Sequence, residues 1–222
     1  MNVEVELVVI TNGRLDYLDE TLKSADDRLQ GRITKRTIIN DNPDPAWRTF
    51  LDEEFGERYE ITHHRKNLGF SGMMGSAREQ IRHTDGPPYV FWLEEDFVFD
   101  RNIDLDEMAT LLDKPGLFQA ALLRGPFFSR ERKAGSIPDE HRSSYRSEIF
   151  RGVKHLSHRR FFTTNPHLAR RESFEVPWLD GAHSESRFGQ GLWDDGMHVA
   201  FMGWGENWCS HIGKERRGGH GY

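Results

Sequence analysis

The chain reads as an α/β protein whose sheet is mixed but mainly parallel and flanked by helices. Three observations lead there. Strand-like and helix-like segments alternate as βαβαβαβ through the first 93 residues. The strands are short, nearly continuous runs of β-branched and aromatic residues, the pattern of strands covered on both faces. Polar, acidic or glycine-containing turns recur where those strands end, and open parallel sheets bind ligands at their carboxyl ends.

Residues 3–10 form the first strand, followed by the turn Thr11-Asn-Gly-Arg14 and by Leu15, Leu18, Leu22 and Ala25 at helical spacing. Residues 33–39 form the second strand, and the prolines of Asn40-Asp-Asn-Pro-Asp-Pro45 close it and open a helix carrying Trp47, Phe50, Leu51 and Phe55. A short strand at 59–62 precedes a helix over 70–81 with Met73, Met74 and Ala77 inward, and a strand at 89–93 follows. Asp104-Leu-Asp-Glu107 has capping-box spacing and opens a helix to Leu112. A strand is expected over 117–123, another over 161–164, and a short helical turn at Asn165-Pro166. Ser184 is the expected cap of a helix that runs to Asp195 and ends at Gly196. A strand over 198–202 leads into a Trp- and Gly-rich tail.

At 222 residues a single domain is expected, residues 1–100 serving one substrate and 101–222 the other. No run of eighteen apolar residues is present, which excludes a membrane span. A single cysteine, Cys209, and the lack of a secretory signal place the protein in the cytoplasm. Charge is uneven: residues 124–171 hold twelve Lys/Arg against four acids, a balance of +8 that leaves −14 for the remainder. Such a segment either meets a polyanion or is a solvated loop whose arginines pair with nearby acids.

The densest chemistry lies at Glu94-Glu95-Asp96, three acids at the end of an apolar strand. Side by side they repel unless a cation or hydrogen bonds hold them. Hard divalent ions take carboxylate oxygens and share their other positions with phosphate. An acidic, solvated strand end is the plainer reading. Asp41, at another strand end, is placed to accept from a pyrimidine N–H, or else is a turn residue beside Pro43. Asn67-Leu-Gly69 precedes a helix, where glycine admits a ligand close to the backbone and the helix start favours phosphate; tight helix–sheet packing explains the same glycines.

Taken together these motifs resemble the GT-A glycosyltransferases grouped as family 2, over nearly the whole chain. The resemblance implies a nucleotide-sugar donor, a UDP-sugar foremost, contacted by Thr11, Asn12, Arg14, Asp41, Asn67, Gly69, Glu94 and Glu95. Glu94-Glu95-Asp96 stands where the family carries its metal-binding Asp-x-Asp motif, with Glu in place of the first Asp, and Asp96 keeps the ligand position. In the family a catalytic acid opens a helix that ends in Gly, followed by a strand and a histidine. Glu185, Gly196, residues 198–202 and His211 keep that order, so the resemblance makes Glu185 the general base and His211 the second ligand of Mn²⁺ or Mg²⁺. Asp194 and Asp195 are the next base candidates. Dipole compensation at the helix start explains Glu185 without chemistry.

The implied reaction is metal-dependent, inverting transfer of a sugar to an acceptor hydroxyl. Arg124, Arg151, Arg159 and Arg160, with Arg130 and the interleaved Phe127, Phe128 and Tyr145, would form a phosphate-binding face. That face fits a viral enzyme glycosylating a hydroxymethylated pyrimidine in DNA. The alternatives are a glycan or teichoic-acid-like acceptor, a nucleotidyltransferase, and a non-catalytic nucleic-acid-binding module.

Overall fold

A computed structural model describes residues 2–213, except positions 128 and 136 and the side chains at 130, 131 and 134. The first half follows the expected alternation: β1 (Glu4–Thr11), α1 (Leu15–Arg28), β2 (Leu29–Gln30), β3 (Arg32–Asn40), α2 (Pro45–Phe55), β4 (Glu60–His63), α3 (Gly69–His83) and β5 (Tyr89–Glu94). The second half contributes β6 (Phe97–Phe99), β7 (Ile103–Asp104), α4 (Leu105–Leu112), β8 (Leu117–Ala121), β9 (Arg124–Gly125), α5 (Ser129–Ala134), β10 (Tyr145–Phe150), β11 (Val153–His158), β12 (His167–Arg170), α6 (Ser184–Asp194), β13 (His198–Met202) and β14 (Cys209–His211).

Nine strands form the main sheet in the order β10-β11-β13-β8-β12-β5-β1-β3-β4. The block β5-β1-β3-β4 is parallel throughout. Beyond it β12 is antiparallel to both β5 and β8, and the hairpin β10-β11 closes the far edge. Alternation along β1 divides the core between two faces. Val5, Leu7 and Val9 pack with Leu18, Leu22, Leu51 and Met108, whereas Val8 and Ile10 pack with Met74, Ala77 and Ile81 of α3. Helices therefore cover both faces, as near-continuous apolar strands require.

Several element starts have clear causes. Asp44 accepts the Ala46 amide at 3.0 Å with Pro45 in the first turn of α2, and Asp104 caps α4 by accepting the Glu107 amide at 3.0 Å. Gly196 ends α6 in the left-handed region, φ +79. Three expectations fail. Ser184 does not cap α6: the helix begins at this residue, behind His183 with φ 56 and no side-chain cap bond. Residues 161–164 are not a strand, and Asn165-Pro166 starts no helical turn. The Thr163 carbonyl accepts from the Gln119 side chain at 2.9 Å, Pro166 offers its carbonyl to the Leu122 amide, and the strand begins only at His167.

A second, three-stranded sheet matters most for function. β14 lies between β6 and β9, antiparallel to the first and parallel to the second. Its register pairs His211 with Phe97 and Cys209 with Arg124. A residue more than a hundred positions along the chain is thereby set beside Asp96.

Candidate active site

The site gathers at the carboxyl ends of β1, β3 and β5, as expected from the sheet. Pairing His211 with Phe97 brings His211 Nε2 to 3.2 Å from Asp96 Oδ2, and the Ile212 amide donates to the Asp96 carbonyl at 2.9 Å. Gly213 belongs to this arrangement, since a Cβ there would lie 2.3 Å from Asp96 Oδ2 and 3.1 Å from His211 Nε2. Burial works to raise the Asp96 carboxyl, but His211 and Arg14 together hold it below its ordinary value.

Arg14 is the hub of the first turn. Its Nε donates to Glu95 Oε1 at 2.6 Å, its Nη2 to Asp96 Oδ2 at 2.7 Å, and its amide to Glu95 Oε2 at 3.2 Å. Burial opposes its charge, yet Asp96 and Glu95 raise the guanidinium above its usual range. The Thr11 hydroxyl also donates to Glu95, and Thr21 donates to the Glu95 carbonyl at 2.6 Å. Glu95 is thus consumed by Arg14 and Thr11, and its side chain faces inward.

Asp41 sits differently from expectation. Only 2% exposed, it accepts the amides of Leu68 and Gly69 at 2.9–3.1 Å and the His64 ring at 2.9 Å. The two amides that would have met a phosphate at the start of α3 are spent on this carboxylate, so Asp41 holds the turn together and is not turned to a base. His64 passes the contact on to Ser76 at 2.9 Å. This Asp–His–Ser chain lies within α3 packing, where the helix amides are already bonded, so it lacks the oxyanion donors a nucleophilic serine needs. Asn67 donates to Asn12 at 2.8 Å and to the Asp41 carbonyl at 3.2 Å, bridging the first and third turns. Gly69, at φ +68, has nothing within 4 Å of where a Cβ would be, so the backbone there stands open.

The second half closes the site through a residue the sequence did not single out. Thr164 donates both its amide and its hydroxyl to Glu185 Oε1, each at 3.2 Å, and also hydrogen-bonds Glu94. Glu185 in the first turn of α6 is therefore brought to the strand end that carries Glu94. Burial, with the charges of Asp96 and Glu185 added to it, pushes Glu94 up to about 8. Glu94 is thus held toward its protonated form by burial and by the two neighbouring carboxylates. Arg124 of β9 is 5% exposed and donates to Asn165 at 3.2 Å and to the Pro126 carbonyl at 2.8 Å. Its charge acts on Glu94. It is a buried member of this site and not part of an outer face.

The other basic candidates do not assemble. Arg151 pairs with Asp113 at 2.6 Å, and Asp113 is shared with Arg170, which stands in register with Tyr89 at the opposite end of β5 from Glu94. Arg159 donates to the Gly196 carbonyl just ahead of β13, again at that opposite end, and Arg160 lies against Gly135. Arg132 pairs with Glu140 at 2.6 Å and Arg142 with Asp139 at 3.2 Å. The basic residues thus point to different places, several of them paired with acids, and do not form the expected continuous face; Phe128 and the side chain of Arg130 lie outside the described residues. Asp194 and Asp195 are exposed at the far end of α6, on the order of 15 Å along the helix from Glu185 at 1.5 Å per residue, so neither reaches the site. A cavity of about 420 Å³ between Pro88, Arg82 and Arg171 lies at the amino end of β5, away from Glu94, where the Arg171 guanidinium is tied to Glu6.

The residues present fit a divalent cation. Asp96 Oδ1 is buried with no hydrogen-bond partner among the described residues, and a carboxylate–imidazole pair is a donor set that Mn²⁺ or Mg²⁺ accepts. Among the described residues no three His, Cys, Asp or Glu side chains converge on one point.

Comparison with solved structures settles the architecture. GalNAc-T7 in complex with UDP, GalNAc and Mn²⁺ superposes with a TM-score of 0.67 at 11% identity, over 96% of this chain and 44% of that one. The fold is that of the GT-A glycosyltransferases. TarS of S. aureus, residues 1–349, superposes at 0.62 with 11% identity, covering 94% of this chain and 60% of that one. The mannosyltransferase PcManGT of Pyrobaculum calidifontis, in complex with GDP-Man and Mn²⁺, gives 0.61 at 13% identity over 98% and 59%. This GT-A chain spans only about half the length of those proteins. No family model and no curated protein sequence matches it.

Proposed function

We propose that the protein is a metal-dependent, inverting glycosyltransferase that moves a sugar from a nucleotide-sugar donor to an acceptor hydroxyl. One observation carries this reading: in a GT-A fold, the Asp96–His211 pair at 3.2 Å and the Glu185 carboxylate oriented by Thr164 meet at the same strand ends. Asp96 and His211 would hold the divalent cation. Bound there, it would neutralise the leaving nucleoside diphosphate and so favour rupture of the glycosidic bond.

The chain's own residues account for the remainder. Glu185 accepts the proton of the acceptor hydroxyl as that oxygen attacks the anomeric carbon. Thr164 fixes the orientation of Glu185. Glu94, buried between Asp96 and Glu185 and hydrogen-bonded to Thr164, lines the space between cation and base. The only nucleophile the reading requires is the acceptor itself, so displacement is direct and inverts the anomeric centre. Asn12, Asn67 and the open backbone at Gly69 form the rim on the nucleotide side, with UDP-sugars the first donors to try.

For the acceptor, the pairing of Arg151 and Arg159 at the other end of the sheet favours a glycan or polyol over a hydroxymethylated base in DNA. Incubation with UDP- and GDP-sugars and Mn²⁺, against oligosaccharides, polyol phosphates and hydroxymethylated DNA, tests it. A mass increase of one sugar on an acceptor, with nucleoside diphosphate released, supports the reading. Release of pyrophosphate with transfer of the nucleotide would replace it with nucleotidyl transfer.

A further inference from the structure

We propose that Arg14 is a built-in stand-in for the divalent cation, so that metal and nucleoside diphosphate enter together, the diphosphate drawing Arg14 off Asp96. This deepens the glycosyltransferase reading and rests on it. One guanidinium bridges both inner carboxylates, at 2.6 Å to Glu95 and 2.7 Å to Asp96. Those acids are 2% and 5% exposed, while the Arg14 side chain is 34% exposed and lies 5.0 Å above the Tyr17 ring. The bridge therefore has a buried end and a solvent-facing end. It ends on Asp96 Oδ2, the oxygen 3.2 Å from His211 Nε2, so the guanidinium charge stands beside the pair that would hold the cation, while Oδ1 is left without a partner among the described residues. Two adjacent buried carboxylates without a cation repel, so Arg14 keeps the site folded until metal arrives.

The same contact penalises metal alone. A divalent ion beside Asp96 would meet the guanidinium charge at close range, and Arg14, once displaced, would leave its donors unsatisfied. A diphosphate removes both difficulties. Its oxygens accept the planar fork of donors as readily as carboxylates do, and Arg14 is anchored by its amide to Glu95 within reach of either partner. Metal and diphosphate binding are then coupled, and such coupling is reciprocal.

The test is Mn²⁺ binding to the full chain, followed by the electron paramagnetic resonance signal of free Mn²⁺, with and without UDP or GDP. Wild type should bind Mn²⁺ weakly alone and more tightly with nucleotide. Arg14→Gln should bind Mn²⁺ alone about tenfold tighter, with nucleotide enhancement reduced by the same factor, within the usual range of coupling. Arg14→Lys, which keeps the charge but lacks the planar fork of donors, should fall between and serves if the glutamine variant does not fold. Unchanged or weaker affinity for Mn²⁺ alone in the folded variants overturns the stand-in role and leaves the enzyme reading intact. A wild type that binds neither Mn²⁺ nor nucleotide would overturn the enzyme reading and this inference with it.

Discussion

Thr164 places two hydrogen bonds on a single oxygen, Oε1 of Glu185, one from its amide and one from its hydroxyl, each at 3.2 Å. The pair joins the extended segment before β12 to the first turn of α6. It turns a helix-start carboxylate, ordinarily explained by the dipole alone, into one aimed at the site.

Glu185→Gln keeps the shape and loses the proton acceptor. Turnover should fall on the order of 10²–10⁴-fold while nucleotide binding persists. Thr164→Val keeps the amide bond to Glu185 and removes the hydroxyl, with its bonds to Glu185 and Glu94; a hydrogen bond to a charged group is worth about 1.5–3 kcal/mol, so a smaller loss of roughly 10–100-fold is expected. Steady-state rates of the two variants check the order; a fully active Glu185→Gln would displace the base.

α6 can approach the sheet because residue 189 is glycine. A Cβ there would lie 2.8 Å from Phe162 Cβ and 3.2 Å from its backbone nitrogen. Phe162 is itself packed against Phe118, Phe188 and Trp178, so it has no room to yield. Gly189→Ala should cost about 1–3 kcal/mol, the usual cost of overpacking, and should loosen Glu185 as α6 shifts. Urea unfolding reads the first effect and turnover the second.

Much of this was legible in the chain and some was not, for physical reasons. The strands of the parallel block are buried on both faces, so their composition shows locally, and the acids at Glu94–Asp96 mark where they end. The hairpin β10-β11 is an edge whose outer strand exposes Arg146, Ser147 and Ile149 without a clean apolar alternation, and its signal drowns in the basic segment. The meeting of His211 with Asp96 depends on the register of a three-residue strand, which follows from tertiary pairing and was anticipated only through family resemblance. Asp41 misled because a strand-end acid looks alike whether it faces a ligand or caps the neighbouring turn. Thr164 gave no signal, since Phe161-Phe-Thr-Thr164 has strand composition and becomes an extended support for the site.

Acid should unfold the protein through two buried imidazoles. Burial lowers His158 to about 3, with the His198 charge adding to it, and lowers His167 to about 4. Because the unfolded chain protonates these rings near 6.5, their contribution is fully present above that pH and is lost as pH falls toward 4 and then 3. The slope approaches about 1.4 kcal/mol per pH unit for each ring. Urea titrations from pH 7.5 to 4 should show this fall, and His167→Gln should flatten it; an unchanged slope would remove His167 from the account.

The central claim is that Asp96 and His211 together bind a divalent cation in service of a nucleoside diphosphate. Calorimetric titration of UDP and GDP into wild type, Asp96→Asn and His211→Ala, with Mn²⁺ and with chelator, tests it most directly. The account predicts Mn²⁺-dependent nucleotide binding in the wild type, weakened in both variants to near the level seen in chelator while the fold, read by circular dichroism, is kept. Mn²⁺-dependent affinity that is unchanged in both variants would contradict it.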